Sequence, residues 1–526
     1  MVNIVRERAA SYLYLIIAAA TISTIFWTMY GAYNYNAFVY TYNDIGKDMQ
    51  SIYLLLHRPS MVYGLQYLVI SNHIAPDELL FVVPLVYIYQ SPYTLFFIES
   101  FILSFTAVLL FVIVERLTKN KGFALVLSLA YLLNPGMQGM LIFEFHEEFL
   151  IIPLLLLVFY YYMKLNKPLF YLALVLLLAV MDSVVFPVLV LGIGLFYFEA
   201  IHGRADALKK ERLILSAIII VSSIAALFIY STYASALAGS YAKSYLEVPP
   251  NLKVLPFDGA PIGNLIFGNS AKNISGYTSE LNTAVFDTAP ANAPSVILMI
   301  LAVLFGVVAF GVTIFVEPVL LLILISPWLV QEVILKHLIF GSMFLQYYAY
   351  VIGGSLIAAI LGYTLLANAK SEPNSRVTME RLRYSTKKIV VPSLLLLIWT
   401  IFILGFTIRI PTLPGSSNPC ISQLDWVIAK VPNNASLVAM NFIAAHTANR
   451  AYIEELPKNS TDAMYFKPEY ALVDFNKCFS ELYANGAYTQ LFYNYTDSFD
   501  KYVLHNGYHL VISNGTSELW ALNSSR

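Results

Sequence analysis

Residues 92–115 read PYTLFFIESFILSFTAVLLFVIVE, an almost uncharged apolar stretch that opens on Pro92 and runs into Arg116. A helix rises about 1.5 Å per residue and the hydrocarbon core of a bilayer is about 30 Å thick, so this stretch is long enough to cross. Similar runs lie on either side, at 10–30, 122–142, 147–163, 168–181, 183–200, 212–231, 293–315, 318–335, 344–367 and 389–409. Together they predict about 11 spans. Three of them, 147–163, 168–181 and 183–200, are short and closely joined, as tilted or broken helices are. The segment 79–90 is apolar but too short to span, which suits a re-entrant or interfacial piece.

Composition agrees. The 526 residues are 59% hydrophobic and 12% charged, about half the charge of a soluble domain, and the mean hydropathy is +0.68. A water-soluble core cannot absorb so many long apolar runs. The net charge of −1 carries no nucleic-acid footprint. Residues 410–526 read as ordinary globular sequence. The fold class is therefore mainly α: a polytopic membrane helical bundle over 1–409, with a small soluble α/β domain over 410–526.

Charge sets the orientation. The N-terminal run lacks a cleavage site and is too long for a signal h-region, so it reads as a retained span with Arg6 and Arg8 inside. The segments then placed in the cytoplasm hold seventeen Lys or Arg, and the outer ones before 410 hold seven, as the positive-inside rule requires. An odd number of spans puts the C-terminal domain outside the cell, at the plasma membrane. The sequons at Asn273, Asn434, Asn459, Asn494, Asn514 and Asn523 all fall on that side, where glycosylation can occur. Cys420 and Cys478 also lie there and can form one disulfide or remain two buried thiols.

Two long outer loops are expected, 31–91 and 232–292. The second is rich in Pro, Gly and Asn and reads as a covering loop. In the C-terminal segment, Ile421, Leu424, Val427 and Ile428 have helical spacing. Strand-like stretches follow at 436–440, 450–453, 470–474, 510–513 and 518–522, the last two joined by the hairpin signal Asn514-Gly515. No phosphate loop, metal motif or nucleophile elbow occurs in that segment, so it is expected to bind or cover, with a cell-surface protein as a partner.

Ionisable residues near a membrane are functional suspects. Four groups lie at one membrane level in this topology: Asp44 to Asp48; His73 to Glu78; Glu144, His146, Glu147 and Glu148; and Asp182. Glu144, His146 and Glu148 pack two carboxylates and an imidazole into five residues, a set that binds a divalent ion or moves protons. A polar helix–helix turn among headgroups is the plainer reading of the acids. Asp44 suits a general base or a helix cap equally, and His73 can be an interfacial histidine. The Tyr-rich stretch 30–42 belongs at an interface in any case.

These motifs resemble the predicted membrane proteins grouped as domain-of-unknown-function family 2079. The resemblance rests on Asn43-Asp44-Ile45-Gly46-Lys47-Asp48-Met49-Gln50, on His73-Ile74-Ala75-Pro76, and on Phe143-Glu144-Phe145-His146-Glu147-Glu148. Met181-Asp182-Ser183, Tyr348-Ala349-Tyr350 and the stretch from Trp426 to Arg450 add to it. Two features depart from the family pattern. The second acid of the first motif is shifted to Asp48, and Met181 and Ser183 stand where a Lys and an acid are usual. The layout in turn resembles the GT-C class of glycosyltransferases, which use polyprenyl-phosphate sugars.

That resemblance implies a catalytic set of Asp44, Glu144 and His146, with Asp44 taking the acceptor's proton. It implies that His73, Asp48, Glu148, Asp182, Tyr348 and Arg409 hold the substrate and its lipid phosphate. Asp44 and His146 would hold a divalent metal, Mg or Mn. Two other classes compete. A transporter or flippase needs polar residues at mid-membrane and often an internal repeat; such acids are scarce here and no repeat is evident. A membrane anchor displaying 410–526 would not need so many spans.

Overall fold

The computed structural model describes residues 2–57, 82–181, 184–203, 207–245, all but one of 307–329, 348–369, 419–456, 468–474 and parts of 499–523. The helices are α1 (Val2–Asn36), α2 (Lys47–His57), α3 (Val83–Ile88), α4 (Pro92–Thr118), α5 (Lys121–Leu132), α6 (Pro135–Ile142), α7 (Ile151–Lys164), α8 (Lys167–Ala179), α9 (Val185–His202), α10 (Ala207–Tyr245), α11 (Pro318–Leu329) and α12 (Ala349–Ala369). A π turn, Tyr42–Gly46, precedes α2, and a 3-10 turn, Glu147–Leu150, precedes α7.

Local chemistry explains where the helices begin. Ser91, Asn134 and Asn166 each occupy an N-cap, and each side chain accepts a backbone N–H of the first turn. A proline follows within two residues each time, where its missing N–H costs nothing. The α4 helix ends on Lys119 in the left-handed region, φ 56°.

Among the described residues, six helices are long and apolar enough to cross a membrane: Ser11–Asn36, Pro92–Thr118, Lys121–Ile142, Val185–His202, Ala207–Ile229 and Ala349–Ala367. The third of these is broken at Asn134-Pro135, where α5 gives way to α6. Of the remaining expected spans, α7 and α8 are apolar helices of 14 and 13 residues, shorter than a crossing needs, and α11 is apolar over its 12 described residues, with 330–335 lying outside the described residues. The span 389–409 and most of 293–315 lie outside the described residues.

Both long loops differ from expectation. Helix α10 runs 39 residues, about 58 Å at 1.5 Å per residue, so the first residues of the expected loop 232–292 continue a helix that outreaches the hydrocarbon. Within 31–91, α1 persists to Asn36, and the π turn, α2 and α3 follow. The apolar piece 79–90 contains α3, whose Leu85, Tyr87 and Ile88 are exposed, along with Tyr89 after it.

The bundle core is one apolar cluster joining α1, α4, α7, α9 and α12. Close approaches rely on small residues, as in other membrane bundles. Gly31 of α1 lies under the ring of Phe96, and Ser23 and Ser104 share a hydrogen bond of 2.8 Å between α1 and α4. Large apolar side chains point outward instead on α1 (Tyr14, Ile22, Met29) and α10 (Val221, Phe228, Ile229), as a lipid-facing surface requires.

One end of the bundle is basic. Arg116 donates to the Tyr160 hydroxyl, and Lys167 pairs with Glu211 at 2.9 Å. Arg212 pairs with the buried Glu199 at 3.2 Å, and His202 with Glu317 at 2.9 Å.

A small C-terminal sheet with its helices stands at the other end. Helix α13 (Pro419–Ile428) is followed by β1 (Leu437–Ala439), α14 (Asn441–His446), β2 (Ile453–Glu455), β3 (Tyr470–Asp474), β4 (Tyr508–Asn514) and β5 (Ser517–Leu522). The sheet order is β2-β1-β3-β5-β4. Strand β1 is parallel to β2 and β3, while β5 is antiparallel to β3 and β4. The expected helix and four of the five expected strands are present, the strand expected at 450–453 instead begins at Ile453 and runs to Glu455, and the final pair is a hairpin with Asn514 opposite Ser517. Asn434 and Asn523 are exposed and Asn514 partly so. Asn273, Asn459 and Asn494 lie outside the described residues, as do Cys478 and the side chain of Cys420.

Candidate functional site

The site is built at the end of the bundle that carries the soluble domain. Helix α6 stops at Phe143, and the extended segment to His146 leads into the 3-10 turn. That geometry points the Glu144 carboxylate at the chain after α1. Its Oε1 accepts the backbone N–H of Thr41 at 2.8 Å, and its Oε2 accepts that of Ile45 at 3.3 Å. One carboxylate thus holds both ends of the turn that carries Asp44 in its backbone. Charged acceptors of backbone N–H groups make the stronger class of hydrogen bond.

His146 Nδ1 donates to the Glu144 carbonyl oxygen at 3.0 Å. In the neutral ring this leaves Nε2 as the basic nitrogen. The ring lies 5.1 Å from that of Phe143. Glu99, two turns into α4, lies against the His146 backbone and within electrostatic reach of His146, Glu148 and Asp48. Asp48, Glu99, Glu144, His146, Glu147 and Glu148 are all buried. Two motifs 100 residues apart in sequence therefore meet in one acidic, histidine-bearing group. Among the described residues, no three His, Cys, Asp or Glu side chains surround a common metal position.

Other expected members are placed differently or not described. Tyr348 is fully buried and covers Gly136, where a Cβ would collide with its ring. Its ring therefore seals the break between α5 and α6. The Asp44 side chain, His73, Asp182 and Arg409 lie outside the described residues. A cleft beside the group runs between α2, α3 and the soluble domain, lined by Met49, Ile52, Tyr53, Leu56, Val86, Gln90 and Asn449.

Some participants carried little or no sequence signal. Glu99 was not singled out in the sequence; the signal that could have found it is an acid within an apolar run, which membranes seldom tolerate without a purpose. Gln50 accepts from the Tyr42 hydroxyl at 2.5 Å and donates to the Ala451 carbonyl oxygen at 3.5 Å, so it joins the loop motif to the soluble domain. Arg450 is buried and gives Nε to Thr447 O at 2.7 Å and Nη1 to Ala435 O at 3.1 Å. Burial pulls its guanidinium down to about 10. It staples the 432–435 segment to the end of α14, and nothing in its local sequence announces that.

Among curated proteins, none matches the chain. The model of a family described as predicted membrane protein (DUF2079) matches residues 25–494, most of the chain, and the protein belongs to that family.

Proposed function

We propose that the protein is a GT-C-like glycosyltransferase that moves a sugar from a polyprenyl-phosphate donor at the outer membrane face. The observation that carries this reading is the pair of hydrogen bonds from the Asp44-bearing turn to Glu144, with His146, Glu99, Asp48 and Glu148 around it. A buried acidic group of this kind suits proton transfer, because desolvation brings carboxyl groups toward working pH.

In the proposed reaction Asp44 takes the proton of an acceptor hydroxyl. The oxygen attacks the anomeric carbon, the bond from that carbon to the phosphate oxygen breaks, and the polyprenyl phosphate leaves with the electron pair. A single displacement inverts the anomeric centre. Glu144 keeps the turn in place, and His146 faces the leaving phosphate together with His73 and Arg409. A divalent ion held by Asp44 and His146 would add positive charge there; no step is routed through it.

The same reading places the basic end of the bundle in the cytoplasm and 410–526 outside, as a domain separate from the bundle of 1–409. It takes the full count as 11 spans and the site of action as the plasma membrane.

The test uses purified protein in proteoliposomes with the polyprenyl-phosphate sugars extracted from its native membrane, together with the hydroxyl-bearing glycolipids and glycoproteins of that extract as acceptors. Conversion of a donor to free polyprenyl phosphate, abolished in Asp44→Asn, is expected. Equal conversion by Asp44→Asn removes the proposed base.

A further inference from the structure

We propose that α14 of the soluble domain is a positioning element that holds the turn Tyr42–Gly46 against Glu144, so the domain completes the site rather than merely being displayed by it. The proposal rests on the reading that this turn and Glu144 form the reacting site.

The first observation is a stack. The partly buried His446 ring, at the end of α14, lies between Tyr35 of α1 and Phe38, with centroids 4.0 Å and 3.8 Å away and planes tilted by 21° and 23°. Phe442, one turn earlier, meets the Phe38 ring edge-on at 6.4 Å. The Tyr35 hydroxyl reaches the Ala445 carbonyl oxygen at 3.4 Å. Helix α14 is thus clamped to the end of the first span.

The second observation is strain at Phe38. Its N–H bonds to Tyr35 O and that of Val39 to Asn34 O, the pattern of a helix end closed by a left-handed residue. Glycine normally fills that seat, yet Phe38 holds it at φ 58°. A bulky side chain in that conformation persists only where its surroundings over-determine it. Phe38 is fully buried, and its ring belongs to the core of the soluble domain, as does that of Tyr42.

The third observation is how the turn itself is gripped. Tyr42 N–H donates to Asn441 Oδ1 at 2.5 Å, and its hydroxyl is shared between Gln50 Oε1 and the Ile453 carbonyl oxygen at 3.2 Å. A Cβ on Gly46 would sit 3.1 Å from Ala445 Cα, so the motif glycine allows α14 to lie directly on the turn. The turn is held from one side by Glu144 and from the other by α14.

Three amides report on this arrangement. Thr41 and Ile45 donate to Glu144, whereas Tyr42 donates to Asn441. Hydrogen exchange on the full-length protein in nanodiscs separates them. If α14 positions the turn, His446→Ala speeds exchange at all three by about tenfold or more, while the β3 amides stay protected. His446→Phe, which keeps a flat neutral ring, restores protection. Acceleration at Tyr42 alone overturns the proposal, because the turn would then hold its place on Glu144 without α14. Should His446→Ala also release β3, Asn441→Ala decides: faster exchange at Thr41 and Ile45 supports positioning, and unchanged exchange there overturns it. The readout needs no substrate, so its failure leaves the transferase reading standing, and a failed transfer assay leaves this geometry standing.

Discussion

The Glu144 carboxylate closes a hydrogen bond of 2.8 Å with the backbone N–H of Thr41, joining the turn after α6 to the chain that leaves α1. Its other oxygen takes Ile45 N–H. Glu144 therefore has a structural duty that is separable from any chemical one.

Replacing Glu144 by Ala leaves two backbone donors without their acceptor. A buried donor left unsatisfied costs about 1–3 kcal/mol, so a lower melting temperature of the purified protein is expected. Glu144→Gln keeps one acceptor oxygen and should melt closer to wild type. Equal melting of all three proteins contradicts the anchoring role.

The clamp should be acid-sensitive. Burial pulls His446 down to about 3 from an ordinary 6.5. The undocked state then binds the extra proton between those values, so docking is at full strength above about pH 6.5 and weakens as pH falls toward 3. Asp425 of α13, half-buried and raised by desolvation, acts with the opposite sign. Exchange at the Tyr42 amide, corrected for intrinsic pH dependence, should rise on acidification in wild type and less steeply in His446→Phe. Parallel profiles would contradict this.

Gly46 should not accept a branched side chain. Its Cβ would stand 2.7 Å from Tyr42 Cδ2 and 3.1 Å from the Ala445 backbone. Gly46→Val is expected to cost about 1–3 kcal/mol by overpacking, and to raise protease cleavage between 42 and 50. Wild-type resistance would show that α14 does not press on the turn.

At the basic end, Arg212→Met removes a charged partner of the nearly inaccessible Glu199. Breaking a buried pair costs about 3–5 kcal/mol, and a loss below that range is expected here because Arg212 is partly exposed and Glu199 keeps other interactions. Adding Glu199→Gln should recover most of the loss. A double variant no better than the single one contradicts the pairing as the cause.

The sequence was most informative where a residue's chemistry acts locally. The apolar run from Pro92 and the strands at 436–440, 470–474, 510–513 and 518–522 are matters of periodicity and turn chemistry, and the structure has them, whereas the strand expected at 450–453 begins only at Ile453. The approach of Glu144 to Thr41 was legible only as a common membrane level, because a pairing across 103 residues is set by how whole helices pack. The Tyr35–His446–Phe38 stack had no local signal, since each of those residues is ordinary in its own segment. Helix α10 was read too short because Ser, Tyr and Ala beyond Tyr230 lower hydropathy without breaking a helix.

The central claim is that the turn bearing Asp44, held by Glu144, is where a polyprenyl-phosphate sugar is consumed. The most direct measurement is mass spectrometry of the polyprenyl-phosphate sugars in membranes of cells carrying wild type, a deletion, or Asp44→Asn at the native locus. The account predicts that one such lipid accumulates to the same extent in the deletion and in Asp44→Asn cells. A lipid profile that does not change on deletion, or one that Asp44→Asn restores to wild type, contradicts it.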